Sequence, residues 1–239
     1  MRRGLLCVIA LAGISYGTFL RAEDEQGASK DLSGVQVQTH FLQGHKFAEF
    51  GMYDNAIDEF KKAIEADPNF AGAHFELGLV YVDTGKLDDA IPEYKKVLAL
   101  DPNHPRVHYE LVLAYYDKGM VDEGIALSEA YLKDYSDKGN IHSLLGALYI
   151  KKGDLDKAVS EFGKQIEFDH HPEMGYLNLG MALIKKGSED EALQAFKKSI
   201  ELNPRNPRVH YQLGTLYEKK GMKEEAEKEM AIYKGLMGQ

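Results

Sequence analysis

Cysteine occurs once, at Cys7, and tryptophan not at all. Cys7 lies inside an uncharged apolar run, Gly4 to Leu20, that follows Arg2 and Arg3. Those features, with Leu20-Arg21-Ala22 and the acidic Glu23-Asp24-Glu25 after it, form the pattern of a secretory signal peptide over residues 1–22. Cleavage after Ala22 leaves a chain without a thiol, so disulfides are excluded and stability must come from packing. It also removes three arginines. Positive charge is in deficit: the net charge is −9, which excludes the basic surface that a nucleic-acid binder needs to displace counterions. Catalytic signatures are missing as well. No nucleophile elbow, phosphate loop, HExxH pair or paired-carboxylate motif occurs, so the chain is not expected to be an enzyme or to carry a cofactor.

What is present is a period. Gly51, Gly85, Gly119, Gly153, Gly187 and Gly221 stand 34 residues apart without an insertion or deletion. A fixed period of this length means an array of identical supersecondary units, each unable to bury its apolar face alone. Residues 23–36 form a polar leader. Six repeats follow over 37–239, at 37–70, 71–104, 105–138, 139–172, 173–206 and 207–239. Each carries two helical patterns, the first stopped at the glycine and the second at Asp-Pro or its equivalent, because the residue before proline is pushed out of the helical region. Pro92 falls early in a second helix and is expected to cost little there.

Small residues recur where two helices must approach closely. Gly44, Gly78, Gly146, Gly180 and Gly214 stand eighth, with Val112 the exception; Ala56, Ala90, Ala158, Ala192 and Ala226 stand twentieth, with Gly124 the exception. At the twenty-first and twenty-eighth places the apolar residues of the first five repeats give way to Glu227 and Lys234 in the sixth, the pattern of a terminal cap.

These residues resemble the tetratricopeptide repeat (TPR) signature from Val37 to the end: Leu77-Gly78 with Tyr81, Leu145-Gly146 with Tyr149, Leu213-Gly214 with Tyr217, aromatics at Phe60, Tyr94, Phe162 and Phe196, and prolines at Pro68, Pro102 and Pro204. The third repeat departs, with Gly124, Ser128 and Ser136, and is a candidate hinge. The resemblance implies an all-α fold, a right-handed α-solenoid of six antiparallel helix pairs whose first helices line a concave groove. It also implies which residues face that groove: Phe75, Leu79, Asp83, Tyr109, Leu113, Tyr116, Asp117, Ile150, Lys151, Leu177, Met181, Lys185, Tyr211 and Lys219. The thirteenth residue changes sign along the array, from Glu49, Asp83 and Asp117 to Lys151, Lys185 and Lys219, and the net charge per repeat runs −3, −3, −3, −1, 0 and +1. Such polarity can orient an extended ligand.

Histidine is the fourth residue of five repeats (His40, His74, His108, His142 and His210), with Tyr176 in the fifth. One histidine per repeat, without a cysteine or a paired carboxylate at a fixed offset, does not build a metal site. The expected role is a ring packed between helices with one nitrogen hydrogen-bonded. If buried neutral, such rings would make stability fall as pH drops through the unfolded histidine range. The expectation is therefore a periplasmic or secreted scaffold that binds a protein or peptide in its groove, with membrane attachment only if residues 4–20 are retained. The alternatives are a self-assembling envelope component and a metal-dependent role for the histidines.

Overall fold

A computed structural model describes residues 34–238, so the expected signal peptide and most of the leader lie outside the described residues. Among the described residues there are twelve helices and no strand. They are α1 (residues 34–49), α2 (Tyr53–Ala66), α3 (Ala71–Asp83), α4 (Leu87–Leu100), α5 (Pro105–Lys118), α6 (Val121–Asp134), α7 (Gly139–Lys152), α8 (Leu155–Phe168), α9 (Glu173–Lys186), α10 (Glu189–Leu202), α11 (Pro207–Lys219) and α12 (Lys223–Met237). The chain divides into two compact units, one ending at Val80 within α3 and one beginning at Tyr81.

The six periodic glycines all adopt positive φ, between 69° and 88°. At each, the glycine amide bonds the carbonyl three residues back and the next amide bonds the one five residues back, as in Gly119 to Tyr116 (3.2 Å) and Met120 to Tyr115 (2.9 Å). This double closure satisfies carbonyls that a helix end leaves without partners, and only glycine enters the left-handed region without a Cβ penalty. Between pairs, Asp67, Asp101, Asp169 and Asn203 each accept from the amide two residues on, and the residue before proline is extended at Asp67 and Asp101.

In the first unit Gly44 of α1 lies under the Phe60 ring of α2; a Cβ there would come within 2.7 Å of it. Phe41 packs edge-on to Phe70, with ring centroids 5.0 Å apart. Thr39, Gln43 and Lys46 are exposed, although the same register positions of α5 (Val107, Leu111, Ala114) and α7 (Ile141, Leu145, Leu148) are buried.

In the second unit each helix packs on its sequence neighbours, and α5, α7 and α9 also touch in succession. Gly146 sits against Phe162 and Gly180 against Phe196, both rings buried. The third repeat solves the same contact in reverse: Val112 and Ser128 are both fully buried, the large residue on α5 and the small one on α6. Gly124 makes room for Leu148, whose Cδ1 would stand 2.9 Å from an added Cβ. What reads in the sequence as a weak repeat is a compensated exchange. Pro92 is the sixth residue of α4, beyond the four amides that a helix start leaves free, so the Asp88 carbonyl loses its helical partner. α4 continues through it, and both residues are exposed, so water can take the carbonyl.

Candidate functional site

The expected groove residues divide by burial. Leu177 is fully buried in the core of the second unit and Phe75 is 6% exposed in the first, so neither can offer its side chain to a partner. The fifth position of a first helix is therefore not uniform along the array: it is buried at Phe75 and Leu177, half-buried at Tyr109 and open at Tyr211. Leu79, Tyr109, Leu113, Tyr116, Ile150 and Met181 are half-buried, while Asp83, Asp117, Lys151, Lys185 and Lys219 are exposed. Tyr211 is 45% exposed, its ring 5.3 Å from that of Tyr233.

Four of these residues meet in one pocket of the second unit. Tyr116 of α5, Ile150 of α7, and Met181 and Lys185 of α9 line a concavity of about 360 Å³, together with Ala147, Phe162, Asn178 and Arg208. Asn178 and Arg208 escaped the sequence reading as individual residues. Arg208 stands second in its repeat and Asn178 sixth, places that the groove residues named from the sequence do not include. Asn178 is held by Gln165 Oε1 (3.2 Å) and Ser143 Oγ (3.4 Å), which fixes its amide toward the pocket wall.

The three lysines of the charge gradient are not equivalent. Lys151 donates to the Tyr116 carbonyl at 2.6 Å and lies 3.7 Å above the centroid of the Tyr116 ring, a cation–π contact that spans two repeats. Lys219 pairs with Glu189 at 2.5 Å. Lys185 and Arg208 remain at the pocket rim with no ion-pair partner among the described residues. At the opposite end of the second unit, burial pushes the Glu110 carboxyl above its ordinary range; Arg106 pulls it down and Asp83 adds to the rise. The unit therefore carries a half-buried carboxylate at one end and two free cations further along.

The histidines overturn one sequence expectation. A carboxylate does stand at a fixed offset, 19 residues on, at Glu59, Glu93, Glu161 and Glu229. His40, His142 and His210 each place Nδ1 2.6 Å from Oε2 of that glutamate. The ring thus clasps the first helix of a pair to the second. Four rings also place Nε2 by a loop carbonyl six residues back: His74 at 3.0 Å from Pro68, His108 at 2.7 Å from Pro102, His142 at 3.0 Å from Ser136 and His210 at 2.8 Å from Pro204. His142 and His210 therefore use both nitrogens, not the single one expected. In the third repeat Leu127 replaces the glutamate, and Nδ1 of buried His108 has no partner while its ring stacks on Tyr131 at 4.1 Å. In the fifth, Tyr176 faces the register of Ala195, so both members have changed together. One histidine and one carboxylate do not fill a tetrahedral metal shell, and no three such ligand groups cluster among the described residues.

Besides Lys219–Glu189, four Lys–Asp ion pairs join neighbouring repeats along the second unit. Lys118 bonds Asp88, and Lys152, Lys186 and Lys220 lie 2.7, 2.6 and 2.6 Å from Asp122, Asp156 and Asp190, each spanning 30 residues from the end of a first helix to the start of the preceding second helix. No described helix is long and apolar enough to cross a membrane.

Profiles described as "TPR repeat" match residues 44–85, 78–119 and 180–221, and one described as "Tetratricopeptide repeat" matches 109–172. A crystal structure of MamA protein is 29% identical with a TM-score of 0.67, covering 72% of this chain and 94% of that one. PilF of Pseudomonas aeruginosa (20% identity, TM-score 0.67, 82% of this chain and 90% of that one) shares the fold. So does YrrB, described as a TPR protein with an unusual peptide-binding site (24%, TM-score 0.57, 75% and 93%). No curated protein sequence matches the chain.

Proposed function

Because the chain belongs to the tetratricopeptide repeat family, we propose that it is a non-enzymatic interaction scaffold that works outside the cytoplasm and seats a segment of another protein in the pocket between Tyr116 and Arg208. The observation that carries this reading is the pairing of an apolar floor (Tyr116, Ile150, Met181) with two cations, Lys185 and Arg208, that have no internal partner. A segment with an apolar side chain followed by a carboxylate complements both, the first by burial and the second by a charge-assisted hydrogen bond. A peptide-binding site in the fold relative YrrB is consistent with it. Export rests on the signal pattern of residues 1–22.

The test is capture from an envelope extract on the native chain and on a Lys185→Glu, Arg208→Glu variant of unchanged helicity. A partner held by the native chain and lost by the variant supports the reading; a partner held equally by both moves binding elsewhere. Self-association is the alternative. Its candidate surface is exposed Leu42, Phe50 and Met52 of the first unit, and light scattering on the purified chain separates the two.

A further inference from the structure

The second helices α6 and α8 enclose a cleft whose two walls carry opposite charge. At the twenty-ninth place the repeats read Glu65, Ala99, Lys133, Glu167, Glu201 and Gly235, so neighbours of opposite sign adjoin only at Lys133 and Glu167. Phe168, one residue on from Glu167, is the only aromatic at the thirtieth place. All three line a cavity of about 440 Å³, with Leu132 of α6 and Leu145 of α7. Small-molecule sites commonly span about 300–1,000 Å³. Leu145 is buried, and Leu132 and Phe168 are half-buried, so the floor is apolar while Lys133 and Glu167 stand exposed at the rim.

The charges of the two walls do not meet. Glu129 of α6 accepts from the Tyr149 hydroxyl of α7. Lys164 of α8 donates to Glu161 Oε1 at 2.8 Å, and His142 Nδ1 lies 2.6 Å from the other oxygen of that carboxylate. Glu129 and Lys164, which also line the cavity, are thus each turned to a partner on their own side. Lys133 and Glu167 have no ion-pair partner among the described residues, and they do not reach each other. The cleft therefore offers one cation and one carboxylate, on opposite walls, above an apolar floor.

We propose that this cleft binds a free α-amino acid with an apolar side chain, its carboxylate on Lys133, its ammonium on Glu167 and its side chain on Leu132, Leu145 and Phe168. An α-amino acid holds both charges on one carbon, so a single small molecule gives each wall a charge-assisted hydrogen bond. Its side chain covers the floor and leaves water in doing so. A lone anion or cation satisfies one wall only. A chain terminus carries one of the two charges, and the backbone inside a peptide carries neither. The cleft has no lining residue in common with the pocket between Tyr116 and Arg208. The site therefore stands or falls separately from the partner segment proposed for that pocket.

The experiment titrates the full native chain with free leucine and follows the backbone amides of α6 and α8 by NMR. Saturable shifts clustered around Lys133, Glu167 and Phe168 support the proposal. N-acetylleucine lacks the ammonium and leucinamide lacks the carboxylate, so each should bind about tenfold more weakly, having lost one charge-assisted hydrogen bond. Glycine, without the apolar side chain, should also bind more weakly than leucine. The absence of a saturable shift up to about 10 mM leucine overturns the proposal, as does any of the three compounds binding as tightly as leucine. Lys133→Gln and Glu167→Gln give a second reading: each should weaken leucine binding about tenfold, and unchanged affinity in both would reject the assignment. Should a variant not fold, the three compounds tested on the native chain still decide.

Discussion

An alanine at Gly146 would put a methyl carbon 2.7 Å from the Phe162 ring, which is itself buried. Neither the ring nor the helix carrying it has room to retreat, so Gly146→Ala should cost about 1–3 kcal/mol, as overpacking does. A urea midpoint equal to that of the native chain would contradict it. The acid limb also belongs to single residues. Hydrogen bonds from Lys62 and then His40 hold Glu59 below the usual carboxylate range, and those from His142 and Lys164 do so for Glu161 against its burial. A carboxyl depressed in the folded state contributes stability that is present above the unfolded carboxylate pKa and is lost as pH falls through the folded one. Glu161→Gln should therefore flatten the loss of stability below about pH 4.3, measured by acid titration of helicity. The packing glycines were legible in the sequence because a small residue opposite an aromatic at a fixed place has one geometric meaning. The glutamates 19 residues after the histidines were equally visible, but a pairing across two helices shows itself only when the helices are seen side by side.

At the scale of the helix pair, Val112 and Ser128 are one decision taken twice. Four repeats carry glycine on the first helix and an aromatic ring on the second; the third carries valine and serine, both buried. Ser128→Phe alone should overpack by about 1–3 kcal/mol, and Val112→Gly alone should leave a void and a weaker helix. Together they rebuild the contact of the other repeats. The double variant should lose less than the sum of the singles by more than about 1 kcal/mol, a coupling that a double-mutant cycle measures; additive costs would show the two positions to be independent. Helix ends were legible to within two residues at every periodic glycine, because the left-handed stop is a local property. Which carbonyl Pro92 leaves without a helical partner follows only from where α4 begins.

At the scale of the whole molecule, the site was legible in part. The resemblance located the apolar positions that meet at Tyr116, Ile150 and Met181, yet it could not tell that Lys151 and Lys219 are spent inside the array while Lys185 is free. That distinction depends on which residues neighbouring repeats bring within reach. The Lys–Asp rungs at 118–88, 152–122, 186–156 and 220–190 are of the same kind. Each has an exposed aspartate and is weak, so replacing all four lysines by glutamine should move the unfolding midpoint little while broadening the transition, read as a smaller denaturant slope. An unchanged slope would deny the rungs a linking role. Their placement has a wider consequence. In a linear array, cooperativity is the contest between how well one unit holds itself and how strongly it grips the next. Here the first quantity contains the histidine–glutamate clasps, which span 19 residues and tie the two helices of one pair, and the second contains the lysine–aspartate rungs, which span 30 and answer to ionic strength. Salt thereby acts on how many units melt together and leaves largely untouched what decides whether a single unit forms.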